Sequence, residues 1–200
     1  MSDMKKFTFD AEGNVTAMYS LKSAYMKIDS IYGTTFTTEV GAFTSGETGI
    51  VGVEATKVGR SKTEFSVYSD QDGDGTFIES FELDVVNSAL FRAENYKFNL
   101  AGDTVEAAYE LGKRGWKLDR MDSDESYSVL TIGDDTFIVQ TEADYNGAEF
   151  EVYADRDGDG LWGKIAEGET SGDFMNLDGS VDLVGIFDAG LLAAADVVTV

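Results

Sequence analysis

Three residue types are missing from this 200-residue chain: it has no cysteine, no histidine and no proline. Without cysteine there is no disulfide, no thiolate metal site and no thiol nucleophile. Without histidine, Ser-His-Asp catalysis and imidazole-ligated transition metals drop out as well. The missing proline carries no functional reading. Basic residues are scarce, with 15 Lys and Arg against 38 Asp and Glu, a formal charge of −23. Nucleic-acid affinity comes largely from basic groups displacing phosphate counterions, so a nucleic-acid partner is not expected. Anionic membrane surfaces are disfavoured for the same reason. No stretch approaches the ~20 apolar residues of a membrane span, so membrane insertion is not expected either. The opening residues, MSDMKKFTFDAEGNV, lack the apolar segment of a secretory signal. The expectation is a soluble protein that stays inside the cell or leaves by a route independent of its N-terminus.

What is present is oxygen. Carboxylates are the one plentiful ligand type, and oxygen-rich sites suit hard cations such as calcium and magnesium. A hydrophobic content of 42%, with 12% aromatic residues, is enough to build a folded core and argues against wholesale disorder.

The chain repeats itself. Thr63 to Glu82, TEFSVYSDQDGDGTFIESFE, matches Ala148 to Glu167, AEFEVYADRDGDGLWGKIAE, at an offset of 155 − 70 = 85. Further upstream, Phe7 matches Phe98 at an offset of 91, and Val15–Leu21, Lys27 and Asp29 match Val105–Leu111, Lys117 and Asp119 at an offset of 90. About five residues are therefore lost between the two motifs in the second copy. The copies run from Lys5 to Asp84 and from Tyr96 to Gly168. The remainder, 169–200, holds a truncated third start, Phe174-Met-Asn-Leu-Asp-Gly-Ser-Val181, which lacks the acidic loop.

Local patterns read as strand. Phe65, Val67 and Ser69 alternate with Glu64, Ser66 and Tyr68, the period-two signature of a strand with one buried face. Thr136–Thr141 and Tyr127–Ile132 are rich in β-branched and aromatic residues. Turn signals such as Glu12-Gly-Asn and Ala101-Gly-Asp punctuate them. Val105–Leu111 is compatible with a helix, but its apolar residues alternate in both copies, which favours strand. The predicted fold is all-β: a tandem-duplicated antiparallel hairpin meander forming a sandwich or barrel-like sheets.

The densest match is acidic. Asp70-Gln-Asp-Gly-Asp-Gly and Asp155-Arg-Asp-Gly-Asp-Gly both read D-x-D-x-D-G. In a tight backbone coil Asp70, Asp72 and Asp74, or Asp155, Asp157 and Asp159, converge on one cation. The closing glycine permits the turn, and Thr76 or Leu161 can offer a carbonyl. Clustered carboxylates repel one another without an ion, so a bound dication relieves that repulsion. The alternative is a plain hairpin turn, since Asp and Gly make such turns without metal. Retention of the same three Asp in both copies favours two calcium ions.

These two stretches of about a dozen residues resemble the calcium loops of EF-hand and dockerin-type proteins. The flanks differ, being strands where an EF-hand has helices. Position twelve, where that resemblance implies a bidentate Glu, is Phe81 or Ala166. Glu82 and Glu167 follow one residue later and are the candidate closing ligands, with a carboxylate from a neighbouring strand as the alternative. The run Asp119, Asp122, Asp124, Glu125 has little counterpart in the first copy and reads as a solvated turn. Trp116, Trp162, Tyr19, Tyr109, Tyr68 and Tyr153 can suggest a carbohydrate platform, but core packing is the better default.

No pair of carboxylates outside the loops is singled out for acid–base work, so no enzyme is expected. Weak calcium modules fill outside the cell, where calcium is near millimolar. The tail Leu191–Val200 loosely resembles the end of bacterial type I secretion substrates, and equally suits a final strand. The expected role is an extracellular calcium-binding structural protein of a surface layer, matrix or filament, with self-association plausible. The alternatives are a virion or particle protein with calcium at its interfaces, and a calcium-dependent carbohydrate-binding module. Cytoplasmic location stays open.

Overall fold

A computed structural model of the chain describes residues 4–22, 25–39, 52–70, 72–86, 94–119, 124–132, 135–144 and 147–171. The fold is all-β and antiparallel, with no helix and no closed barrel among the described residues. The chain divides into two compact units, Met1–Asp84 and Val85–Val200.

In the first unit, β1 (Met4–Phe9), β2 (Val15–Lys22) and β3 (Tyr25–Asp29) form a three-stranded meander. A second meander follows, of β4 (Thr34–Glu39), β5 (Gly52–Val58), β6 (Lys62–Ser69) and β7 (Phe77–Val86). The β1–β2 turn is set by Asp10, whose Oδ1 accepts the amides of Glu12 and Asn14 at 3.0 and 2.8 Å, while Gly13 takes φ +88°. The two meanders join where β1 and β7 begin, Met4 opposite Ile78 and Lys5 opposite Phe77. Between them Phe7 packs edge-on to Phe77 and Tyr68, ring centroids 5.0 and 5.4 Å away. Val53 and Ala55 complete this core. Tyr68 thus corrects the simple alternation read from the sequence. It shares a face with solvent-oriented residues, yet Phe7 of β1 covers it and it is buried. Across the β1–β3 sheet, the buried Lys5 ammonium donates to Ser20 Oγ at 2.8 Å and pairs with Asp29 at 3.1 Å.

The second unit repeats this plan strand for strand. β8 (Tyr96–Ala101), β9 (Thr104–Gly112) and β10 (Gly115–Asp119) form the three-stranded sheet. β11 (Glu125–Ile132), β12 (Asp135–Asp144), β13 (Gly147–Ala154) and β14 (Gly163–Ser171) form the four-stranded one. Among the described residues the join is the pair Tyr96–Trp162, whose backbones exchange hydrogen bonds of 3.0 and 2.8 Å. Phe98, Ala108, Ile138, Tyr153 and Trp162 are buried there, with Phe98 and Trp162 in edge-on contact. Val105–Leu111 lies wholly within β9.

Strand register locates the residues lost from the second copy. Phe36 lies opposite Ala55, and Tyr127 lies opposite Gln140. The offsets are 127 − 36 = 91 and 140 − 55 = 85, so the length change falls between the first two strands of the four-stranded meander. Twelve residues separate Glu39 from Gly52, and two separate Ile132 from Asp135. Trp162 is buried as core, but Trp116 is not. It lies 42% exposed on the outward face of β10, which corrects the core reading for that residue. The third repeat start, Phe174–Val181, and the tail Leu191–Val200 lie outside the described residues.

Candidate metal-binding loops

Both acidic loops connect the last two strands of a four-stranded meander, β6 to β7 and β13 to β14. Each loop is wound by its own first aspartate. Asp70 accepts the amides of Gly73 and Gly75, one on each carboxylate oxygen, both at 2.9 Å. Asp155 accepts those of Gly158 and Gly160 in the same way, again at 2.9 Å. Asp72 then accepts the amide of Asp74, and Asp157 that of Asp159, each at 3.2 Å. Asp74 takes the Thr76 amide at 2.6 Å and Asp159 the Leu161 amide at 2.8 Å. Gly73 and Gly75 hold φ of +73° and +79°, as Gly158 and Gly160 hold +75° and +85°. That left-handed backbone is open to glycine at no steric cost.

The coil turns its carboxylates together. Asp70, Asp72 and Asp74 each present an oxygen such that all three lie within 4.8 Å of one another. Two oxygens each about 2.4 Å from one calcium-sized ion are at most about 4.8 Å apart, so the spacing suits a shared hard cation. Asp70 is buried, with 6% of its surface exposed, while Asp72 and Asp74 face solvent. Hydrogen bonds from the Thr76 side chain and amide hold the Asp74 carboxyl below the usual carboxylate range, and Lys6 adds a favourable field. Asp74 is therefore ionised and ready to ligate at neutral pH.

The second loop gathers a different trio. Asp157 and Asp159 come within 4.8 Å of Glu94, which stands two residues before β8. Burial pushes the Glu94 carboxyl up, and the neighbouring Asp157, Asp159 and Asp155 push it further. These two acidic clusters can hold metal ions. Glu94 was not singled out from the sequence, although a signal exists. Register equates Lys5–Phe77 with Tyr96–Trp162, an offset of 91 on the first strand, and 94 − 91 = 3 is Asp3. An acid therefore precedes the first strand in both copies. Asp3 itself lies outside the described residues.

The candidate closing ligands are placed elsewhere. Glu167 lies opposite Glu151 on β13, four residues before Asp155 and so about 13 Å along the strand. Its carboxylate pairs with Lys164 at 2.6 Å. Glu82 lies five residues into β7, about 16 Å of extended chain beyond Phe77, and its charge helps push up the Tyr68 phenol. Among the described residues neither joins an acidic cluster. Thr76 and Leu161 are tied to the loops through their amides. In the other acidic run, Asp119 accepts the Tyr127 hydroxyl at 3.3 Å and Glu125 accepts Gln140 Nε2 at 3.3 Å. Asp122 lies outside the described residues.

No family model, no curated protein and no solved structure matches this chain.

Proposed function

We propose that the two loops bind calcium, one ion each, and that the chain is a structural protein of the cell exterior whose two β units are stabilised by those ions. The supporting observation is repetition of geometry. Two loops of differing sequence, at the same place in two units, keep the same four side-chain-to-amide contacts and the same three aspartates. A plain turn needs only its first aspartate to close. The other two, Asp72 and Asp74 or Asp157 and Asp159, stand exposed and mutually repelling, an arrangement that a divalent cation compensates. Calcium is favoured over magnesium because a flexible loop of carboxylates and carbonyls suits a large ion with many oxygen ligands. Affinity in the range of extracellular modules makes the exterior the compartment where the sites fill.

The test is a thermal melt in excess chelator and in millimolar calcium, with isothermal titration to count ions. A rise in melting temperature and two ions per chain are the expected results. No shift and no heat would leave the loops as turns and remove the basis of the proposal.

A further inference from the structure

Each acidic loop contains the same dipeptide twice. Asp72-Gly73 and Asp74-Gly75 in the first loop match Asp157-Gly158 and Asp159-Gly160 in the second. An aspartate followed by glycine can react with its own backbone, because glycine has no side chain to shield its amide nitrogen. That nitrogen attacks Cγ of the aspartate: the N–Cγ bond forms, and the amide proton and the carboxyl OH leave as water. Water then reopens the cyclic imide on either side. Attack at Cγ restores aspartate, and attack at the main-chain carbonyl leaves isoaspartate, with the backbone running through the side chain. No oxidant, reductant or second substrate is needed. All four dipeptides share the same following residue, so the fold alone sets their relative reactivity. In the structure every reacting nitrogen is engaged. Asp70 takes the Gly73 N–H on one carboxylate oxygen and the Gly75 N–H on the other, and Asp155 takes those of Gly158 and Gly160 alike, all at 2.9 Å. The nitrogen must shed that proton to close the ring, and a charged acceptor holds it in place. The attacked carboxyls are tied as well, Asp72 and Asp157 to the amides of Asp74 and Asp159, and these in turn to the amides of Thr76 and Leu161.

We propose that Asp72, Asp74, Asp157 and Asp159 are sites of isomerisation to isoaspartate, and that Asp70 and Asp155 are the residues that hold the reaction back. The two loops are not equally protected. Asp70 is 6% exposed, whereas Asp155 is only half-buried. Water competes less for the shielded carboxylate, so the second loop reacts first. The product changes the loop for good. Isoaspartate lengthens the main chain by the β-carbon, so the amides beyond it no longer fall on the carboxylates that wind the coil. This inference is independent of the cation reading, since it concerns only the chain's own atoms and is tested in chelator.

The test is peptide mapping after long warm incubation in chelator at neutral pH, with isoaspartate located by fragmentation in the mass spectrometer. The wild type is run folded and, as the unprotected reference, unfolded in urea. The folded wild type is expected to isomerise more slowly than the reference, and faster at Asp157 and Asp159 than at Asp72 and Asp74. Asp70→Asn keeps one acceptor oxygen and no charge, so it releases at least one of the two glycine amides. Loss of a hydrogen bond to a charged acceptor corresponds to roughly tenfold or more in rate. Isoaspartate at Asp72 and Asp74 together should rise by about that factor, with Asp157 and Asp159 unchanged. Asp155→Asn gives the mirror result, so each variant carries its unaltered loop as an internal control. An unchanged rate in the altered loop, or an equal rise in both loops, overturns the protective role of the first aspartate. A folded wild type that reacts as fast as the urea-unfolded chain overturns it too, and variants free of isoaspartate at all four positions overturn the assignment of the sites.

Discussion

Replacing Glu94 with Gln should move stability in opposite directions with and without calcium. In the absence of an ion Glu94 lies within 4.8 Å of both Asp157 and Asp159. At that distance each like-charged pair costs about 0.9 kcal/mol at the dielectric of water, and salt screening of these exposed groups reduces the pair of terms to about 1 kcal/mol in all. Burial first, and then these neighbouring carboxylates, hold the Glu94 carboxyl above its ordinary range. A raised carboxyl favours folding below its unfolded value, and that advantage is lost as pH rises through the folded value. In chelator at a pH above that folded value the repulsion is present, and there Glu94→Gln should raise the melting temperature by a few degrees. In calcium the same substitution removes a charged ligand. A tenfold weaker site forfeits about 1.4 kcal/mol of ligand-linked stability at saturation, so the calcium-induced shift should shrink. Differential scanning calorimetry of both proteins, in chelator and in millimolar calcium, reads both arms. An unchanged calcium-induced shift would refute Glu94 as a ligand, and an unchanged melt in chelator would refute the repulsion.

Further outcomes follow from the same geometry. Asp70→Ala should cost about 1–2 kcal/mol even in chelator, because two loop amides lose their acceptor; Asp72→Ala should lower the melting temperature more in calcium than in chelator, where it forfeits only its contact with the Asp74 amide. Gly75→Ala meets no atom within 4 Å, so its cost, about 1–2 kcal/mol by urea titration, should come wholly from the positive φ. Burial works to raise the Asp29 carboxyl, but hydrogen bonds from Ser20 and Lys5 outweigh it and hold the group below its usual range. A lowered carboxyl contributes stability above its unfolded value and loses it as pH falls through the folded one. Lys5→Met should therefore cost about 2 kcal/mol at neutral pH and flatten the acid limb of a pH–stability profile; an acid limb identical to wild type would refute the Lys5–Asp29 pairing.

The strand content was legible because period two runs plainly through Phe65, Val67 and Ser69, and because the two copies share it. Where alternation failed, at Tyr68, the cause was a neighbour far away in sequence: Phe7 packs on the face that the local pattern leaves to solvent. Trp116 misled in the opposite sense, since a large aromatic at a repeated position reads as core, while its register partner Leu111 puts it on the outward face. The three aspartates of the first loop were readable from spacing, as a tight coil forces their convergence; in the second loop Asp157 and Asp159 cluster without Asp155. The carboxylate just ahead of β8 was not readable. Glu94 lies 61 residues before Asp155 along the chain (155 − 94), and only the Tyr96–Trp162 pairing brings it beside the loop. Glu82 and Glu167 were favoured by counting along a loop that in fact ends early, where β7 and β14 carry the chain away as extended strand.

The join between the sheets of the second unit has a mechanical consequence. One residue pair, Tyr96 with Trp162, stitches β8 to the four-stranded sheet by two backbone hydrogen bonds. Tension applied ahead of β8 pulls on that stitch as on the end of a zipper, opening a short seam instead of shearing a long one. Glu94 stands two residues ahead of the stitch, and Asp157 and Asp159 stand on the other lip of the seam. An ion shared across them would act as a rivet at the point where peeling must begin, and its binding would raise the force at which the unit gives way.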